Sequence, residues 1–123
     1  MCGIVGYISK KKYNLSKGLN SIHHRGPNSF GTYFYENIHL GHKRLSIIDL
    51  NKSSNQPMHF DDYVIVFNGE IYNFQSLRKR LKQKNIKFKT KGDTEVLLKW
   101  IINQGLDSLN EVEGMFAFAL LNK

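Results

Sequence analysis

The sequence predicts an α+β fold, on three observations. Short runs of β-branched and aromatic residues alternate with segments whose apolar residues recur at helical spacing. Turn-forming stretches such as "HHRGP" and "NKSSNQPM" punctuate them. The closing run, "GMFAFALLNK", is apolar on both faces, the pattern of a strand. With 123 residues the chain is at most one domain, long enough to bury a core with little to spare.

Taken in order, "CGIVGYI" (residues 2–8) reads as a buried strand. Leu15, Leu19 and Ile22 then follow at helical spacing, in a helix that must end before the Gly26-Pro27 turn. "GTYFYE" and "IHLGHKRLSIIDL" carry strand-type residues and pair as a hairpin around Asn37, while "NKSSNQPM" is a loop. "YVIVF" (residues 63–67) is a strand running into "NGEIYN". A helix follows with Phe74, Leu77 and Leu81 on one side and basic residues on the other. "GDTEVLLKWIINQG" is a second well-delimited helix, with Asp93 at the N-cap, Val96, Leu97, Trp100 and Ile101 inward, and Gly105 as its stop. The last strand, buried on both faces, needs neighbours, yet the sequence stops two residues after it. A fragment cut in mid-sheet is expected.

The composition is globular, and no apolar run is long enough to cross a bilayer, so the expectation is a soluble cytoplasmic protein without a membrane partner. The single cysteine cannot form an internal disulfide, in keeping with a reducing compartment. The net charge is +8, and eight basic residues crowd the acid-free stretch 78–91. No RRM, KH, zinc or helix-turn-helix pattern accompanies them, so a solvated helix face and loop is the better reading than a nucleic-acid interface.

The cysteine stands at position 2. A buried structural thiol is its bland reading; a metal site is disfavoured, because the five histidines show no zinc spacing, and no metal is expected. If Met1 is removed, Cys2 carries both a thiol and a free α-amine. The amine titrates at ~7.7–8.0 and the thiol at ~8.5, so one residue can supply nucleophile and general base for acyl transfer. Such a nucleophile needs donors for an oxyanion. Asn68-Gly69 reads either as a hairpin turn or as that pair of donors, a side-chain amide beside an unshielded backbone N–H. A guanidinium suits a substrate carboxylate, and Arg44 lies just after a predicted strand; carboxylates suit an ammonium, and Glu70 and Asp93 are available.

The joint pattern resembles the glutaminase domain of the class II glutamine amidotransferases, which are N-terminal-nucleophile hydrolases, and within them the domain of the glutamine-dependent asparagine synthetases. "MCGIVGYI", "HHRGPNSFGTY", "LGHKRLSIIDL", "QPM", "VFNGEIYNFQSLRKRL", "GDTEVLL" and "EGMFAFAL" occur in the family's order and spacing and cover residues 2–121. The resemblance implies a four-layer αββα sandwich of antiparallel sheets, its C-terminal part missing. It implies hydrolysis of L-glutamine to glutamate and ammonia through a glutamyl-thioester on Cys2, with Asn68 and Gly69 as oxyanion hole. Arg44 would hold the substrate carboxylate, with the backbone of Leu45, Ser46, Ile47 and Ile48 lining the pocket, and Glu70 and Asp93 would hold the ammonium. It implies no cofactor for this half. ATP and magnesium would belong to a synthetase domain or subunit, absent here, that receives the ammonia and amidates aspartate. A homodimer is among the assemblies it admits. Amidation of another acceptor, such as a surface-polysaccharide sugar acid, is an alternative, as is a non-catalytic relic. Asn28 departs from the family's usual Asp.

Overall fold

The computed structural model describes residues 2–46 and 52–123. Among these residues nine elements carry the fold: β1 (Gly3–Ile8), α1 (Leu15–Ser21), β2 (Ser29–Tyr35), β3 (Ile38–Arg44), β4 (Met58–Phe60), β5 (Tyr63–Ile71), α2 (Phe74–Gln83), α3 (Asp93–Gln104) and β6 (Gly114–Asn122). Short 3-10 turns cover His23–Arg25, Lys52–Ser54 and Leu106–Glu111.

The strands form two antiparallel three-stranded sheets, ordered β1-β3-β2 and β4-β5-β6. In the first, β2 and β3 make the hairpin expected around Asn37, closed at the Tyr35↔Ile38 pair with Glu36 at φ 52°. β1 joins the other side of β3, from Gly3↔Lys43 to Ile8↔Ile38. Leu15 and Leu19 bury one side of α1 against this sheet, and Asn14 caps the helix by accepting from the Lys17 N–H at 3.3 Å. In the second sheet, β5 pairs with β6 over its whole length and with β4 only from Tyr63 to Ile65. Because side chains alternate along β5, Ile65, Phe67 and Ile71 enter a core shared with Leu77 and Leu81 of α2 and Leu97 and Trp100 of α3. Val64 and Val66, 0% and 1% exposed, turn the other way, toward β1 and β3. The result is the αββα layering.

Several sequence expectations need correction. Met58 is apolar and packs into the core, so the expected loop already contains the start of β4. Of the two readings of Asn68-Gly69, the hairpin turn does not hold: both residues lie inside β5, opposite Ala117 and Phe116. Gly92 is the N-cap of α3 and Asp93 its first residue; Gly105, at φ 84°, does stop the helix. Finally, β6 is not fully covered on both faces. Phe116, Phe118 and Leu120 pack on the core, whereas Met115 on the other face is 68% exposed, because among the described residues no strand lies over it. β1 is likewise half-exposed, with Ile8 at 72%.

The basic stretch is partly structural. Arg78 donates to the carbonyls of Thr90 and Gly92 at 2.9 and 2.8 Å and lies over the Phe88 ring. Arg80 pairs with Glu111 at 2.6 Å and lies over Trp100.

Candidate active site

The N-terminal end of β1 and the C-terminal end of β3 are neighbours because the two strands pair antiparallel. Cys2 therefore meets the residue just past β3. The Leu45 N–H donates to its sulfur at 3.4 Å, and the sulfur stands 3.7 Å from the Leu45 carbonyl oxygen. The thiol is half-buried against this peptide. The Cys2 carbonyl is held by Arg25, whose Nε donates to it at 3.0 Å. The turn carrying Arg25 is itself bound to the end of β3. Pro27 forms a parallel bridge with Arg44, and the Asn28 N–H donates to the Arg44 carbonyl at 3.1 Å. The Asn28 side-chain oxygen accepts from the Ser46 N–H at 3.0 Å. That is an acceptor role an amide fills as well as a carboxylate does, which accounts for Asn at this position.

Arg44 is the last residue of β3 rather than a residue beyond it, and it is only 7% exposed. Its NH1 donates to the Asn55 side-chain oxygen at 2.6 Å, which also accepts from the Ser29 hydroxyl at 3.3 Å. Ser46 is half-buried beside it; Ile47 and Ile48 lie outside the described residues.

On the facing sheet, β5 runs past the end of β4, so its backbone groups on that side need other partners. The Phe67 N–H finds the Gln56 side-chain oxygen at 2.6 Å, and its carbonyl accepts from His42 Nε2 at 3.0 Å. The Ile71 N–H finds Asp93 Oδ2 at 3.1 Å. By the two-residue alternation of a strand, the N–H of Gly69, midway between them, points to the same side. Among the described residues no side chain accepts from it. Gly69 has φ 150°, and a Cβ there would drive into the Met115 carbonyl and the Phe116 backbone, so only glycine lets β6 approach this closely. The adjacent Asn68 turns toward the first sheet, on the same face of β5 as Val64 and Val66. Its amide oxygen is buried without a hydrogen-bond partner among the described residues.

Two titrating groups frame this strand. Burial pushes the His42 ring down to about 4; its bond to the Phe67 carbonyl opposes the shift and the nearby Arg44 charge adds to it. The imidazole is neutral with its proton on Nε2, the tautomer that can donate to a carbonyl. Burial raises Asp93, which is 6% exposed, against the pull of the Ile71 N–H and of the helix-end N–H groups of Asp93 and Thr94. The Glu70 charge raises it further, so the two carboxylates singled out in the sequence lie close enough to interact.

The structure thus brings Cys2, Arg44, Leu45 and Ser46 to one sheet end and sets Asn68, Gly69, Glu70 and Asp93 on the facing strand and the helix behind it. The family resemblance placed Arg25 only in a turn near the site, without a contact, and sequence reasoning missed His42, Asn55 and Gln56; the contacts of all four depend on chain distant in sequence. Only the "GH" and "QPM" stretches hinted at two of them. Among the described residues no cluster of His, Cys, Asp or Glu could hold a metal ion, and no helix is long and apolar enough to cross a membrane.

The family model described as a glutamine amidotransferase domain matches residues 1–123. Asparagine synthetase [glutamine-hydrolyzing] 1 of Bacillus subtilis is 41% identical over the whole of this chain. Asparagine synthetase B [glutamine-hydrolyzing] of Escherichia coli is 38% identical over 98% of it, and asparagine synthetase [glutamine-hydrolyzing] 1 of Arabidopsis thaliana 38% over 99%. The chain spans only 21%, 23% and 22% of those three proteins. Among solved structures, the glutamine phosphoribosylpyrophosphate amidotransferase of B. subtilis superimposes with a TM-score of 0.59 at 23% identity, over 70% of this chain and 21% of that one, a likeness of fold. The chain belongs to the family of glutamine amidotransferase domains.

Proposed function

We propose that this domain hydrolyses the side-chain amide of L-glutamine to glutamate and ammonia. The observation that carries the reading is the Gly69 N–H, without a side-chain acceptor among the described residues, between two N–H groups that have one, next to the buried Asn68 amide and across the sandwich from the Cys2 end of β1. With Met1 removed, the Cys2 amine takes the thiol proton as sulfur attacks the amide carbon. The oxygen, now an anion, accepts from the Gly69 N–H and the Asn68 amide. The amide nitrogen takes the proton and leaves as ammonia, and water then cleaves the glutamyl-thioester. Arg44, oriented by Asn55, receives the substrate α-carboxylate, with Leu45, Ser46, Ile47 and Ile48 contributing backbone. Asp93 and Glu70 receive the α-ammonium. Burial disfavours the charged form of Asp93 in the free domain, and an arriving cation reverses that preference. The relatives named above are asparagine synthetases, so the ammonia is assigned to amidation of aspartate by an ATP-dependent, magnesium-requiring synthetase domain or subunit.

The test is an intact mass before and after exposure to an electrophilic glutamine analogue. The expected outcome is loss of Met1 and a single adduct on Cys2, with glutamine protecting. Cys2→Ala is expected to abolish glutamine hydrolysis while leaving glutamine binding intact, and unchanged turnover refutes the mechanism.

A further inference from the structure

We infer that Gln56 is a positioning residue for the oxyanion-binding stretch of β5; this rests on the reading of Asn68 and Gly69 as the oxyanion donors. The strand pairing of β4 ends at Met58↔Ile65, so two residues further along β5 the Phe67 N–H has no strand to bond. Gln56, two residues before β4, supplies a side chain in place of a strand. Its Oε1 accepts from that N–H at 2.6 Å, and its Nε2 donates to the Thr94 hydroxyl at 3.3 Å. The residue is 7% exposed, and Gly31 of β2 lies directly on its carbonyl, so its backbone is held by packing as well. The Phe67 carbonyl is meanwhile tied to His42 of the other sheet.

Both backbone groups of Phe67 on this side are therefore bonded, to elements in two different places. The peptide leading into Asn68 cannot rotate without breaking one of these bonds. Oxyanion donors act only if they are already aimed where the charge develops, and sub-ångström misplacement weakens them. Thr94 is also the neighbour of Asp93, so the same glutamine joins the start of α3, which carries the ammonium-facing carboxylate, to the strand that carries the oxyanion donors.

The experiment compares the parent chain with Gln56→Leu and Gln56→Glu by three measurements. Glutamine turnover gives kcat and KM. The affinity of the aldehyde analogue of glutamine reports the oxyanion site: the Cys2 sulfur adds to its carbonyl carbon and the carbonyl oxygen takes the thiol proton. The rate of alkylation by iodoacetamide reports the thiol alone, since sulfur displaces iodide and no oxyanion forms. Gln56→Leu, which keeps the bulk and removes the acceptor, is expected to lower kcat and aldehyde affinity together by roughly tenfold, with KM and the alkylation rate within about twofold. Gln56→Glu keeps an acceptor for the Phe67 N–H and is expected to restore most of both. Unchanged kcat in Gln56→Leu, an alkylation rate that falls in step with kcat, or failure of Gln56→Glu to rescue would each overturn the inference. If Gln56→Leu loses the native circular dichroism, Thr94→Val carries the test. It removes only the tether of the Gln56 amide, and kcat is expected to fall in the same direction by a smaller factor; an unchanged kcat overturns the inference. Asn68→Ala with undiminished turnover, or no turnover in the parent chain, defeats the oxyanion reading itself. An impaired Asn68→Ala beside a normal Gln56→Leu defeats the role of Gln56 alone.

Discussion

Stability should fall as pH drops through the range in which His42 refuses a proton. The ring is buried to 0% exposure between the two sheets, and its pKa is driven from 6.5 to about 4. Between those values the unfolded chain binds a proton that the folded chain does not. Acidification therefore pulls the equilibrium toward unfolding, and the contribution is fully present only above 6.5. At about 1.4 kcal/mol per pH unit, the loss on reaching pH 4 amounts to about 3 kcal/mol. Asp93 works with the opposite sign: its raised pKa means that stability declines as pH rises toward the folded value. The two are separated by a difference measurement. His42→Gln keeps an N–H placed to donate to the Phe67 carbonyl but cannot titrate. Urea unfolding followed at a series of pH values between 6.5 and 4 should show the parent losing about 3 kcal/mol more than His42→Gln. Parallel curves for the two chains would refute the assignment of this proton linkage to His42.

The remaining predictions concern packing and charge. Gly69→Ala places a methyl group against the Met115 carbonyl at φ 150°; it should cost at least about 2 kcal/mol in urea unfolding and remove glutamine turnover. Leu97→Ala, at a fully buried core position, should cost about 2–5 kcal/mol by the same assay, with no direct effect on the glutamine KM. Arg80→Ala breaks an ion pair whose side chains are 49% and 48% exposed, and should cost less than about 1 kcal/mol. Arg78→Ala removes two bonds to loop carbonyls and a ring contact, and should cost about 1.5–3 kcal/mol. Equal urea midpoints for the two arginine variants would contradict this ranking.

Read from the sequence alone, periodicity sufficed where an element is amphipathic and local. Leu15 and Leu19, Leu77 and Leu81, and the inward face of α3 are buried as their spacing required, since a helix face is set by its own residues. The hairpin at Asn37 was legible for the same reason. Cys2, Arg44, Asn68-Gly69 and Asp93 were legible as candidates, because nucleophile, guanidinium, amide-glycine and carboxylate would each suit one part of an amide substrate. Local pattern misjudged whatever depends on a partner distant in sequence. Asn-Gly is a turn by propensity and a strand segment here, because nine cross-strand pairs with β6 outweigh the preference of two residues. β6 is apolar on both faces, yet which face is covered depends on what packs against it. The sequence by itself determined the α+β class, the candidate nucleophile and the candidate residue types of the site, while the αββα layering was implied by the family resemblance. Tertiary structure alone decided that Gln56 and His42 meet at Phe67, that Asn55 orients Arg44 and that Arg25 holds Cys2. The physical reason is that a buried polar group must find a partner in space, and sequence spacing carries no record of which one it finds.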